Sequence, residues 1–167
     1  MAKNNTRLIW DGAGMMEIEL TQGQWTQINV RDYPRVKNYK WCAQRVYKKD
    51  TFYAVTSINK KLIGMHRLIK NAPDNLDVDH RNHNTLDNTD GNLRVCTRKQ
   101  NLQNKTKDAT SLFKGVSLHK PTGKYLVHIM NQHLAFVDDQ ETGGMIYDIA
   151  AELLYGEYAL LNREQQA

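Results

Sequence analysis

Apolar and polar residues alternate along residues 15–20 and again along 25–30, which predicts two strands. Asp32-Tyr33-Pro34 predicts a helix start, with Pro34 in its first turn. Residues 40–47 and 52–58 are rich in β-formers and predict two more strands; 59–61 make a turn, 62–65 begin the return, and 66–69 form a short helix before a loop at 71–75. Residues 77–95 are dense in Asp, Asn and His and predict a turn-rich hairpin, with Val78 and Leu93-Arg94-Val95 in its two strands. Thr97 is a candidate N-cap for a helix over 98–105, and 105–110 is a polar, basic linker. Alternation returns at 113–118, 124–130 and 133–137, with a turn at 121–123, and predicts three strands. Met145, Ile149, Ala150, Leu153 and Leu154 then recur at helical spacing within 140–155, Gly156 can end that helix, and the apolar stripe is expected to be core.

This order predicts an α+β chain of two modules joined near 105–111. At 167 residues, two modules would each be thinly cored. No run of 18 apolar residues occurs, so no membrane span is expected, and residues 1–7 lead into no secretory signal. The two cysteines, Cys42 and Cys96, lie far apart outside any metal-binding spacing. They suit a reduced, cytoplasmic chain and exclude a four-cysteine zinc site.

Charge changes the picture more. The net charge is +5, but residues 31–70 carry +9 and 98–137 carry +6, while the 71–97 stretch between them carries −3 and residues 138–167 carry −6. Basic blocks neutralise phosphates and release counterions. An acidic centre between them repels a polyanion unless a cation sits in it.

That acidic centre holds the candidate chemistry. Asp79 and His80 are adjacent, and at a strand end both can reach one groove. A carboxylate is a hard ligand for Mg²⁺ or Mn²⁺, and a neutral imidazole beside it is a general base near pH 7. Hydrolysis of a phosphodiester uses those two parts. Asn101 and Asn104, three apart on the following helix, offer amide oxygens, and the strand–loop–strand–helix order is expected to fold Asn101 back over Asp79. Asn92 can brace the hairpin backbone and hold His80 in place. One carboxylate in the cluster favours a single metal; Asp77, on the same strand face as Asp79, leaves a second site open.

The string His66-Arg67-Leu68-Ile69, Val78-Asp79-His80-Arg81-Asn82, Leu86-Asp87-Asn88, Asn92-Leu93-Arg94 and Gln100-Asn101-Leu102-Gln103-Asn104-Lys105 resembles the HNH nucleases of the His-Me finger class, most of all phage-type homing endonucleases and nicking enzymes. The resemblance implies that Asp79 and Asn101 bind one Mg²⁺ or Mn²⁺, that His80 is the general base and that Asn92 orients it. Asn104, His66 and Arg67 are further candidates for metal or phosphate contact, and no structural zinc is expected. Two positions depart from the pattern: His83 stands where the family has a Gly or another small residue, and Thr89 where it has Arg.

Residues 15–65, with Asp32-Tyr33 and Trp41, are similar to the part that precedes the motif in these proteins. Ser111, Phe113-Lys114-Gly115-Val116, Gly123-Lys124-Tyr125, Tyr147-Asp148, Ala150-Ala151, Gly156-Glu157 and Leu161-Asn162 resemble the AP2/ERF DNA-binding domain, whose three-stranded sheet enters the major groove. By that likeness Lys114, His119, Lys124 and Tyr125 would face DNA. Ala135 stands where that family has Gly, and Gly143-Gly144 interrupts its Ala-rich helix start.

The expected organisation is therefore a ββα-metal (HNH) nuclease module with an N-terminal β-rich part over 1–106, its motif at 66–105, and a small AP2-like three-stranded-sheet-and-helix domain over 107–167. The expected function is site-specific cleavage of double-stranded DNA by a homing endonuclease or nickase, acting as a monomer in the cytoplasm of a phage-infected or bacterial cell. A catalytically inactive DNA-binding regulator is the alternative. An RNA-binding protein is a third reading, poorly supported because no aromatic pair of the RNA-recognition type occurs.

Overall fold

Alternation builds the first half of the chain into small antiparallel sheets. In a computed structural model, residues 4–9, 14–46, 50–105 and 112–165 are described. β1 (Thr6–Ile9), β2 (Met15–Glu19) and β3 (Trp25–Asn29) form the first sheet, in that order. A 3-10 turn leads into the four-residue α1 (Tyr33–Val36), with Pro34 in its first turn as predicted. β4 (Cys42–Arg45), β5 (Phe52–Ile58) and β6 (Lys61–Gly64) form the second sheet, followed by α2 (Met65–Lys70). β7 (Asp77–His80) and β8 (Leu93–Cys96) make the predicted hairpin. Met16, Ile18, Ile28, Trp41, Ala54, Met65, Ile69, Val78 and Leu93 join these elements into one buried cluster. β1 had no clear alternation in the sequence; its burial pattern explains this, since Thr6, Arg7 and Leu8 are exposed.

The described part divides into two compact units, Met1–Arg98 and Lys99–Ala167. Asp79, His80 and Asn92 fall in the first, Asn101 and Asn104 in the second. α3 (Arg98–Gln103) is shorter than the predicted 98–105 helix. Ser111 and most of the expected linker lie outside the described residues.

The second unit has a three-stranded antiparallel sheet, with β10 (Lys124–Ile129) between β9 (Val116–His119) and β11 (Gln132–Val137). β9 starts three residues later than its alternation predicts, because 112–115 form a bend and turn. α4 (Gln140–Tyr155) packs on this sheet. Asp139 caps it, accepting from the backbone N–H of Thr142 at 2.7 Å, and Gly156 follows at φ 53°.

The expectation that the large apolar stripe of α4 is core is corrected. Met145, Ile149, Leu153 and Leu154 are exposed, Leu153 at 82%. The buried positions are Gly143, Gly144, Tyr147, Asp148 and Ala151. Glycines let the helix backbone approach the sheet, and that contact sets which face turns inward. A Cβ on Gly143 would lie 3.1 Å from Val116, and one on Gly144 only 2.6 Å from the Phe113 ring. Gly143-Gly144 therefore sits inside the helix as its contact surface and does not interrupt it. Gly144→Ala is expected to destabilise the protein by about 1–3 kcal/mol, since overpacking outweighs the ~1 kcal/mol that alanine gains in helix propensity. Gly143→Ala should cost less, and urea unfolding of the two variants side by side checks the order.

Candidate active site

The site is built on the β7–β8 hairpin. Val78 pairs with Val95, so Asp79 falls opposite Arg94 and His80 opposite Leu93. Directly opposed residues share a face. Arg94 accordingly donates from Nε and Nη2 to Asp79 Oδ2, at 2.9 and 2.7 Å, and both side chains are buried. Arg94 was not a candidate from the sequence, although the valine register alone would have placed it there. Asp77, one pleat away, pairs with Arg98 at 3.1 Å.

The loop between the strands is held by its own side chains. Asn92 Oδ1 accepts from Asn82 N at 2.9 Å, and Asn92 Nδ2 donates to Asp87 O at 2.8 Å. Asn92 thus ties the two arms of the loop together. Asp87 accepts from Asn82 Nδ2 and from the Thr89 hydroxyl. His83 has φ 61°, the left-handed region that favours glycine. That backbone need accounts for the small residue expected at this position.

Asn88 is bonded to the His80 ring, its Oδ1 lying 3.3 Å from Nε2. Sequence reasoning gave Asn88 no role. Its placement depends on a segment some sixty residues earlier: β3 lies at the edge of the first sheet and pairs with the loop in parallel. Gln27 N donates to Leu86 O, and Asn88 N donates to Gln27 O, both at 2.8 Å. Asp90 adds a clasp, accepting from Arg31 at 2.7 Å and pairing with Lys70.

His80 is buried, and burial pushes its pKa below the ordinary imidazole value, against the Asn88 bond and the charges of Asp79 and Asp87. It is therefore neutral, and able to accept a proton, at pH 7. His66 packs against it edge to face, with ring centroids 5.2 Å apart, and Tyr53 completes the cluster. The His66 ring lies over Gly64, where a Cβ would come within 2.4 Å of it. Arg67, beside it, donates to the carbonyls of Leu76 and Pro73 at 2.8 and 2.9 Å and so anchors the loop before β7.

Burial first, then the charges of His80 and Arg67, push the His66 pKa down to about 3. Unfolded, it titrates near 6.5. Between those values the unfolded chain binds the extra proton, so His66 lowers stability as pH falls below about 6.5. At pH 5 the loss is about 2 kcal/mol. Urea midpoints at pH 7 and pH 5 should show it, and His66→Phe should shrink the difference by about that amount.

Asn101 is half-buried on α3, and Asn104 is buried just beyond the helix. Among the described residues no three His, Cys, Asp or Glu side chains gather around one point to hold a metal. A carboxylate such as that of Asp79 and an amide oxygen such as that of Asn101 are hard donors of the type Mg²⁺ and Mn²⁺ take, usually with waters and phosphate oxygens in the rest of the shell.

Lys114 donates to the carbonyls of Gln103 and Lys105, at 2.7 and 3.1 Å, and burial lowers its pKa. His119 Nδ1 lies 2.8 Å from the Thr122 hydroxyl, and its ring packs on exposed Phe136. Lys124 pairs with Asp138 at 3.1 Å, and the Tyr125 hydroxyl accepts from Gln140. His119, Lys124 and Tyr125 thus lie on the β9–β10 strands, while Lys114 is tied to the end of α3.

With that geometry in place, residues 71–103 match the family described as HNH endonuclease. The matched segment spans the hairpin, its loop and Asn101. The match points to a DNA nuclease. Over 151 residues the chain is 29% identical to an uncharacterised HNH endonuclease of Acanthamoeba polyphaga mimivirus, covering 85% of this chain and 76% of that protein. No solved structure matches the chain. No helix among the described residues is long and apolar enough to cross a membrane.

Proposed function

We propose that the protein is a site-specific endonuclease of double-stranded DNA, of the homing or nicking kind, acting as a monomer. The observation that carries the reading is a neutral, buried His80 beside Asp79 on a hairpin whose segment matches HNH endonucleases. His80 takes a proton from the attacking water at a ring nitrogen. By the resemblance, Asp79 and Asn101 would hold one divalent cation, Mg²⁺ or Mn²⁺. When bound, that cation supplies positive charge for the scissile phosphate and the leaving oxygen. Arg94 fixes the Asp79 carboxylate, and Asn92 keeps the loop in the shape that presents both groups. Asn104, His66 and Arg67 are further candidates for the surroundings of the metal and phosphate.

One such hairpin per chain fits cleavage of one strand by a monomer. The sheet of the second unit is read as an AP2-like DNA reader, with Lys114, His119, Lys124 and Tyr125 as its DNA-facing residues. The basic blocks on either side of the hairpin supply the phosphate contacts. Supercoiled plasmid incubated with the protein in Mg²⁺ should yield nicked circles, and EDTA should suppress them. Nicking that survives EDTA would exclude the metal role of Asp79 and Asn101.

A further inference from the structure

A general base works only if its lone pair is on the nitrogen that meets the water, so the His80 tautomer is a functional variable. A chain of hydrogen bonds beginning in the first sheet decides it. The Thr26 hydroxyl donates to Leu86 O at 2.7 Å; a carbonyl only accepts, so this bond uses the single Thr26 proton. The Thr26 oxygen must then accept from Asn88, whose Nδ2 lies 2.8 Å away. That fixes the orientation of the Asn88 amide, with Oδ1 turned toward His80 Nε2. An oxygen acceptor there requires the hydrogen on Nε2, so Nδ1 carries the lone pair. Asn88 and Thr26 are both wholly buried, at 0% exposure, so water does not compete for these bonds.

We propose that Thr26, on β3, is a positioning residue that sets the tautomer of His80 through the Asn88 amide. Thr26 is 62 residues from Asn88 in sequence. Its role gives the N-terminal sheet a part in the chemistry, since the same strand also pairs with the loop that carries Asn88. The kinetic consequence rests on the nuclease reading; the tautomer itself does not.

The test is long-range ¹H–¹⁵N correlation of the His80 ring in the full chain, for the unsubstituted protein, Thr26→Val, Thr26→Ser and Asn88→Asp. The unsubstituted protein and Thr26→Ser should show the hydrogen on Nε2. Thr26→Val removes both the donor to Leu86 and the acceptor for Asn88, frees the amide to turn over, and should move the His80 hydrogen toward Nδ1. Asn88→Asp cannot donate as a carboxylate, so it should keep Nε2–H, and combined with Thr26→Val it should restore that signature. In parallel, the nicking rate at saturating plasmid in Mg²⁺ should fall roughly tenfold to a hundredfold in Thr26→Val with KM unchanged, part of the 10²–10⁴ a general base contributes.

Nδ1–H in the unsubstituted protein, or an unmoved Nε2–H in Thr26→Val, overturns the proposal. Should Thr26→Val fail to fold, Thr26→Ala takes its place: it likewise removes the hydroxyl, Nδ1–H there upholds the proposal and an unmoved Nε2–H overturns it. A tautomer that moves as expected, with specifically bound DNA left intact by the unsubstituted protein in Mg²⁺ and in Mn²⁺, upholds the positioning role and rejects the nuclease reading.

Discussion

His80→Ala is expected to abolish DNA cleavage and leave DNA binding unchanged. The ring is the proton acceptor of the proposed reaction, and a positioned base contributes about 10²–10⁴ in rate. His66 does not take its place: it packs against the ring from α2, and its pKa, pushed down to about 3, makes it a weak base. Removing the ring leaves the buried Asn88 oxygen without that partner, a cost of about 1–3 kcal/mol. The melting temperature of the variant therefore needs to be measured with its activity, at a temperature where it remains folded. Gel-shift affinity for plasmid fragments in EDTA should match the unsubstituted protein. The lowered pKa of His80 has its own signature: cleavage should hold up further into mildly acidic buffer than an ordinary histidine base would allow.

Arg94→Leu is expected to be the most destabilising single change in the hairpin. It leaves the Asp79 carboxylate buried without its guanidinium, and breaking one side of a buried pair costs about 3–5 kcal/mol. Removing the carboxylate too, in Arg94→Leu with Asp79→Leu, should recover much of that loss, because the pair's desolvation is then gone as well. Urea unfolding of the three proteins measures the cycle. The same variants test the metal assignment without any cleavage: excess Mg²⁺ should stabilise Arg94→Leu, and should not stabilise the doubly substituted protein.

What the sequence made legible follows from how local each signal is. The hairpin strands were readable because Val78 and Val95 flank a stretch of turn formers, and this placed Asp79, His80 and Asn92 correctly on one element. The pairing of Asp79 with Arg94 was implicit in the same register. Asn88 and Thr26 were not legible, since their bond joins segments 62 residues apart and neither has a local pattern that marks it. The helix over 140–155 was legible in extent but not in orientation. Periodicity shows where the large apolar residues lie; close approach at Gly143 and Gly144 decides which face is buried, and it leaves Met145, Ile149 and Leu153 outside. His83 was visible as a departure, and its left-handed backbone shows the steric reason a small residue suits that turn.

The most direct test of the central claim separates binding from chemistry on the same DNA. Genomic or plasmid fragments are captured on the protein in EDTA, washed, and then given Mg²⁺ while still bound. The account predicts that the captured fragments are cut at one position in the bound complex, and that fragments held by His80→Ala stay whole. Fragments held specifically by the unsubstituted protein that remain intact in both Mg²⁺ and Mn²⁺ would contradict it, and would make the chain a DNA-binding regulator.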